Sequence, residues 1–251
     1  MKERREAIKR FVDANGEVSI GRLCAEFSGW SEMTIRRDLA ALEKSRAVIL
    51  TRGGARSFPG RYGLSEDIYS EREQRNFAAK QLIAKKAAAL VEPGKGIFID
   101  SGTTAMALAR LLPDYNLVVV CSAPNIALEI AMRKAAPSIV LLGGTLSRKS
   151  ISISDPDVTR QLVNLNIDTA FVAASGFDEN AGFSVGSQLD ALLKRAVIAK
   201  ARRVVIIMDS SKAGAMLPFT FAGINDIDML VTDDDFPEEL RERLQGMVTV
   251  V

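Results

Sequence analysis

Residues 31–56 read SEMTIRRDLAALEKSRAVILTRGGAR, and this stretch decides how the first part of the chain folds. Ser31 stands where a helix N-cap belongs, ahead of a helix running to about Lys44. Within it Ile35, Leu39 and Leu42 fall on one stripe at i, i+4 and i+7. At about 100° per residue, Met33, Thr34, Arg37 and Ala41 point the opposite way, with Arg36 on the flank. Val48-Ile49-Leu50-Thr51 is an apolar, β-branched run, and Gly53-Gly54 breaks it. That pattern predicts a small hairpin ending near Arg56.

Upstream, the spacing predicts two more helices. Residues 3–14 set Ile8, Phe11 and Val12 on one face, and Asn15-Gly16 stops the helix. Ser19 caps a second helix over 20–27, which turns Ile20, Leu23, Cys24 and Phe27 inward. A short second helix, a tight turn at Gly29-Trp30 and a third helix make a helix-turn-helix, and the hairpin is its wing. The third helix is then the one that enters a major groove. Ser31, Thr34, Arg36 and Arg37 on that helix, with Arg52 on the wing, are the candidate DNA-binding residues. Arginine suits bidentate contact with guanine or phosphate, and the hydroxyls suit phosphate or a thymine methyl. Taken alone, Arg36 and Arg37 also describe a solvated helix face with Asp38 as a local partner. The combination with the wing favours DNA, as does charge. Residues 1–57 hold 12 Lys/Arg against 8 Asp/Glu, net +4, while the rest hold 21 against 23, net −2. A basic head on a slightly acidic body fits a polyanionic partner.

Composition removes several chemistries. The chain has no histidine, so neither a Ser-His nor a Cys-His nucleophile pair nor a His-containing zinc site is available. Cys24 and Cys121 cannot build a zinc centre and are expected as small buried hydrophobes. No metal and no cofactor are expected. No apolar run approaches the roughly 20 residues that cross a bilayer, and the charged start, MKERRE, leads into no signal segment; the expected location is the cytoplasm.

Residues 58–75, with Pro59, Gly60, Gly63 and a charged run, read as a linker between a head at 1–57 and a body at 76–251. A long helix is expected from about Glu71 to Leu90, with Phe77, Leu82, Ile83, Ala87 and Leu90 as its apolar stripe. After it, β-branched runs at 96–99, 117–121, 138–142, 169–174, 203–208 and 229–231 alternate with helical stretches around 104–112, 124–134, 156–164 and 187–201. That alternation predicts an α/β body on a mainly parallel sheet covered on both faces. Ligands bind such sheets at the C-terminal strand ends. There lie Asp100-Ser101-Gly102-Thr103-Thr104, Gly143-Gly144, Ser175-Gly176-Phe177-Asp178 and Asp209-Ser210-Ser211-Lys212, with Lys194 and Arg195 on a nearby helix. A loop of small residues at a helix N-terminus offers N–H groups, hydroxyls and a dipole that suit phosphate. The same residues also serve as ordinary caps and turns.

The string from Ser31 to Ala55 resembles the DNA-binding signature of the DeoR family of bacterial regulators, in its TIRRDL core and its GGA ending. In the body, DSGTT at 100–104, GG at 143–144, SGFD at 175–178, LKRA at 193–196 and DSSK at 209–212 follow the order of that family's effector domain. The resemblance covers essentially the whole chain. It implies a body with the fold of ribose-5-phosphate isomerase, and a homodimer or homotetramer. It also implies a repressor of sugar or polyol genes, released from a double-stranded operator by a phosphorylated sugar. Asp100, Ser101, Gly102, Thr103, Thr104, Gly143, Gly144, Lys194, Asp209 and Lys212 are the expected effector-binding residues. The chain departs from family habit at Leu50 and Arg52 in the wing, and at Val120-Cys121, Ser154 and Asp190 in the sugar pocket. Two other readings stay open: an active sugar-phosphate isomerase with Asp100, Asp178 or Asp209 as general base, and a DNA-binding scaffold with a decayed pocket.

Overall fold

The computed structural model describes residues 2–15, 17–44, 47–51, 53–57 and 69–251; Arg52 and residues 58–68 of the linker stretch lie outside these. The chain divides into two compact units, Met1–Arg61 and Tyr62–Val251. No helix among the described residues is long and apolar enough to cross a membrane.

The first unit holds α1 (Lys2–Asn15), β1 (Glu17–Ser19), α2 (Ile20–Glu26), α3 (Glu32–Lys44), β2 (Val48–Thr51) and β3 (Gly54–Ser57). All three expected helical stripes meet in one core, where Ile8, Val12, Leu23, Ile35, Leu39 and Leu42 are buried with Val48 and Ala55 of the wing. Ser19 caps α2 as expected, its hydroxyl accepting from Arg22 N. The wing is an antiparallel hairpin, but its sheet has three strands, in the order β1-β3-β2. β1 was not legible, because three residues carry no periodicity. Its pairing explains a glycine: a Cβ on Gly54 would stand 2.0 Å from the Val18 carbonyl oxygen, so only glycine admits the approach.

The second unit begins with α4 (Tyr69–Gln74) and α5 (Phe77–Ala88). The single helix expected from Glu71 is broken at Asn76, whose φ is +50°, and α4 starts within the stretch read as linker. Asparagine tolerates this left-handed conformation better than most residues, and its side chain is held by Asp209 and Ser211. The break rotates Phe77 out of the apolar stripe, so it is exposed.

The parallel strands follow the reading to within a residue: β4 (Gly96–Ile99), β5 (Val118–Cys121), β6 (Ser138–Leu141), β9 (Thr169–Ala173), β12 (Arg203–Ile207) and β14 (Met229–Val231), with β15 (Thr249–Val250) added at one edge. Helices α6 (Thr103–Leu111), α7 (Pro124–Arg133), α8 (Val158–Leu162), α9 (Gln188–Lys200) and α10 (Glu238–Leu244) surround them. The order is β15-β14-β12-β9-β4-β5-β6, every pair parallel. Adjacent residues of β4 enter opposite cores. Ile97 and Ile99 pack with α5, α6 and α7, whereas Phe98 packs with α8, α9 and α10. This is why the strands are continuously apolar.

Five short strands lie outside the runs that the sequence marks as strands. β7 (Thr145–Ser147) pairs with β8 (Ser152–Ser154), while β10 (Gly176–Asp178), β11 (Gly182–Val185) and β13 (Phe219–Ala222) form a small antiparallel sheet. The latter's Phe177, Phe183 and Phe221 help close the second core. Strand order also sets a switch point in the sheet. From β4 the chain runs outward through β5 and β6, then returns to β9 on β4's other side. The C-terminal ends of β4 and β9 therefore flank a topological switch point, where open parallel sheets bind ligands.

Candidate functional site

On the first unit, the outward face of α3 carries Met33, Arg36, Arg37 and Ala40, all exposed. Arg36 thus lies within the exposed face rather than on its flank, and Thr34 and Ala41 are half-buried. Arg36 pairs with Glu32 at 2.8 Å, a surface contact that holds it only weakly. Arg37 makes no ion pair among the described residues. The Ser31 and Thr34 hydroxyls lie 2.9 Å apart, and Ser31 Oγ also accepts from Thr34 N. They cap α3 at the edge of the candidate interface. Arg52 lies outside the described residues.

Asp38 is not the local partner of Arg36 and Arg37. It is fully buried and accepts from Arg4 and Arg5 of α1. Burial alone would raise its pKa, but the hydrogen bonds and charges of the two arginines outweigh this and hold the carboxyl below its ordinary value. The pair locks α3 to α1 and leaves Arg37 free of that role.

On the second unit, the β4–α6 connection is the centre. Asp100 closes β4 with one carboxylate oxygen accepting from Ser101 N at 2.8 Å and the other from Ala173 N at 2.9 Å. Lys194 of α9 pairs with Asp100 and also donates to the Ala173 carbonyl at 2.9 Å. Both side chains are almost fully buried. They tie the ends of β4 and β9 together, so their charges meet each other. Gly102 follows with φ +102°, closed to most side chains, and opens α6 without a side-chain cap. Thr103 and Thr104 fill its first turn, largely buried. The result is a run of helix N-terminal N–H groups beside hydroxyls, oriented to favour an anion.

The other expected residues are placed differently. The Gly143 N–H and carbonyl are both taken by Gln161. Gly144, with φ +135°, allows close approach to Ser154 of its own chain. Asp209 accepts from Ser211 N at 3.2 Å and from Asn76 Nδ2 at 2.9 Å. Lys212 ends the turn after β12, half-buried.

Several polar residues that sequence reasoning missed come to this end of the sheet. Lys80 is buried and donates to the Arg72 and Arg75 carbonyls at the end of α4. Burial lowers its pKa to about 8, helped by nearby Lys212 and Arg72 and opposed by Asp209. Tyr69 is buried too. Burial raises its pKa to about 12, with Glu73 adding and Arg110 and the Asn125 side chain working against it. Arg72 reaches the loop itself, with Nη1 4.0 Å from where a Cβ on Gly102 would stand. These residues had no legible signal, since all but Lys80 and Asn125 fall in or beside the supposed linker.

Residues 4–59 match the DeoR-like helix-turn-helix domain, and residues 75–234 match the DeoR C terminal sensor domain. The chain is 35% identical over 231 residues to the uncharacterized HTH-type transcriptional regulator YulB of Bacillus subtilis, covering 92% of this chain and 88% of that one. It is 31% identical over 251 residues to the HTH-type transcriptional regulator GlpR of Haloferax volcanii, covering 99% and 96%. To the HTH-type transcriptional repressor GlcR of Bacillus subtilis it is 31% identical over 231 residues, covering 92% and 88%. Among solved structures, ribose 5-phosphate isomerase A from Methanocaldococcus jannaschii is 19% identical over 55% of each chain, at a TM-score of 0.41; nothing about activity follows from that likeness. With both of its units matched in order and relatives alike over nearly their whole length, the chain belongs to the DeoR family of transcriptional regulators.

Proposed function

We propose that this regulator represses genes of carbohydrate or polyol metabolism and is released from its operator by a phosphorylated sugar bound at residues 101–104. One observation carries the reading: a glycine-opened helix N-terminus, with two threonines in its first turn, stands at the switch point of a parallel sheet. The GlcR relative, named a repressor, supports repression. The three aspartates available to an isomerase as general base are engaged: Asp100 by Lys194, Asp178 by the N–H groups of Asn180 and Ala181, and Asp209 by Asn76 and Ser211. That supports binding over turnover. The protein acts in the cytoplasm as a homodimer or homotetramer on double-stranded DNA. Control requires only that the metabolite bind DNA-competent and incompetent forms with different affinity.

Calorimetry and operator binding test this together. Gly102→Val and Thr103→Ala variants are expected to bind DNA like wild type, yet to ignore the metabolite. An unphosphorylated sugar that binds as tightly as its phosphate ester would remove the reading.

A further inference from the structure

Tyr69 and Arg72 stand three residues apart on α4, and so share one face of the helix. Arg72 brings its guanidinium to the Gly102 loop. Beside it, the Tyr69 hydroxyl is more than nine-tenths buried, with the Asn125 side chain as a hydrogen-bond partner, and the Ser122 hydroxyl, at the end of β5, the strand next to β4, is fully buried with no partner among the described residues. Asn125 lies in the first turn of α7, its Oδ1 buried. These groups are neighbours. Asn125 is close enough to Tyr69 to act on its hydroxyl, and Tyr69 N donates to Lys149 O in the same β7–β8 turn region whose Ile153 N donates to Ser122 O. Buried polar atoms without partners are few in folded proteins, and each calls for a reason. The unpartnered Ser122 hydroxyl and the buried Tyr69–Asn125 pair, beside an anion-favouring loop and an arginine, fit a ligand with both charge and hydroxyls.

We propose that α4 forms a wall of the effector site, Arg72 binding the anion held at residues 101–104 while Tyr69, Ser122 and Asn125 bind the hydroxyl-bearing part of the ligand. The proposal rests on the anion-loop reading above. It adds a consequence for signalling: α4 is the first described element of its unit after the DNA-binding unit in chain order, so the ligand grips the segment nearest that junction.

The test uses the full chain, with inorganic phosphate, ribose 5-phosphate and fructose 6-phosphate as probes. Thermal shift, calorimetry and amide exchange are the readouts. Phosphate is expected to raise the melting temperature of the wild type and to slow exchange across 69–74. Arg72→Ala is expected to weaken phosphate binding about tenfold or more, with Arg72→Lys intermediate. Tyr69→Phe and Ser122→Ala are expected to keep phosphate affinity within about twofold but to lose most of the extra affinity of the tighter ester. A wild type indifferent to all three probes would overturn the anion loop and this proposal with it. Phosphate binding that Gly102→Val abolishes and Arg72→Ala leaves intact would overturn the α4 wall alone. If Arg72→Ala melts without ligand below working temperature, Arg72→Lys and the wild-type exchange pattern decide. An unchanged preference for the ester in both hydroxyl variants would sink the role of Tyr69 and Ser122.

Discussion

At the residue scale, α3 shows two adjacent charges with opposite fates. Arg37 faces outward, and Asp38 is enclosed by Arg4 and Arg5. Arg37→Ala is therefore expected to leave folding intact and to cost about 1–3 kcal/mol of operator binding if Arg37 reads a base. A lost phosphate contact would instead lower the salt slope. Fluorescence anisotropy on the operator at several salt concentrations distinguishes them, and unchanged binding removes α3 as the reading helix. Asp38→Asn acts on stability instead, because it leaves two arginines around a neutral side chain; a loss of about 3 kcal/mol is expected. The sign with pH follows from the depressed carboxyl. Its contribution is present above the ordinary value of 3.8 and is lost as pH falls below it toward the lower folded value. Acid melts of wild type and Asp38→Asn should thus converge below about pH 4.

At the scale of elements, two short segments matter more than their length suggests. β1 closes the wing's sheet by running so near Gly54 that a single added carbon meets backbone at 2.0 Å. Gly54→Ala is expected to destabilise the first unit by about 1–3 kcal/mol, measured by chemical denaturation. The α4–α5 break is the other case. Lys80 caps α4 from inside, and its burial costs stability while it carries charge. A base whose folded pKa, about 8, lies below its unfolded value is bound to fewer protons in the native state. Stability therefore rises with pH between the two values. Relative to a Lys80→Met variant, the wild type should gain stability from pH 8 to about 10; a flat difference would mean that Lys80 is not strained by burial.

At the scale of the molecule, one winged unit reads only a short DNA site, so specificity calls for paired heads on repeated half-sites. Sedimentation at micromolar concentration is expected to show a dimer or tetramer, and a monomer with operator present would refute it. The helix N-terminus, the ion pair and the glycine turn lie at one end of a single sheet. Changes to that end should move effector response before they move DNA affinity.

What was legible in the sequence was what repeats locally. Apolar stripes marked α1, α2 and α3, β-branched runs marked six parallel strands, and small polar residues marked the loops that follow them. The order of the motifs was enough to identify the family. Tertiary structure decided what depends on residues far apart in the chain. It set β9 beside β4 and so placed the loop at 100–104 at a switch point. It spent Lys194 on Asp100, 94 positions away, and bent the helix at Asn76 to reach Asp209, 133 positions away. It also made strands of three-residue runs that have no pattern of their own. The physical reason is that periodicity reports which face of an element is apolar, whereas the partner of a buried charge is set only when the elements pack.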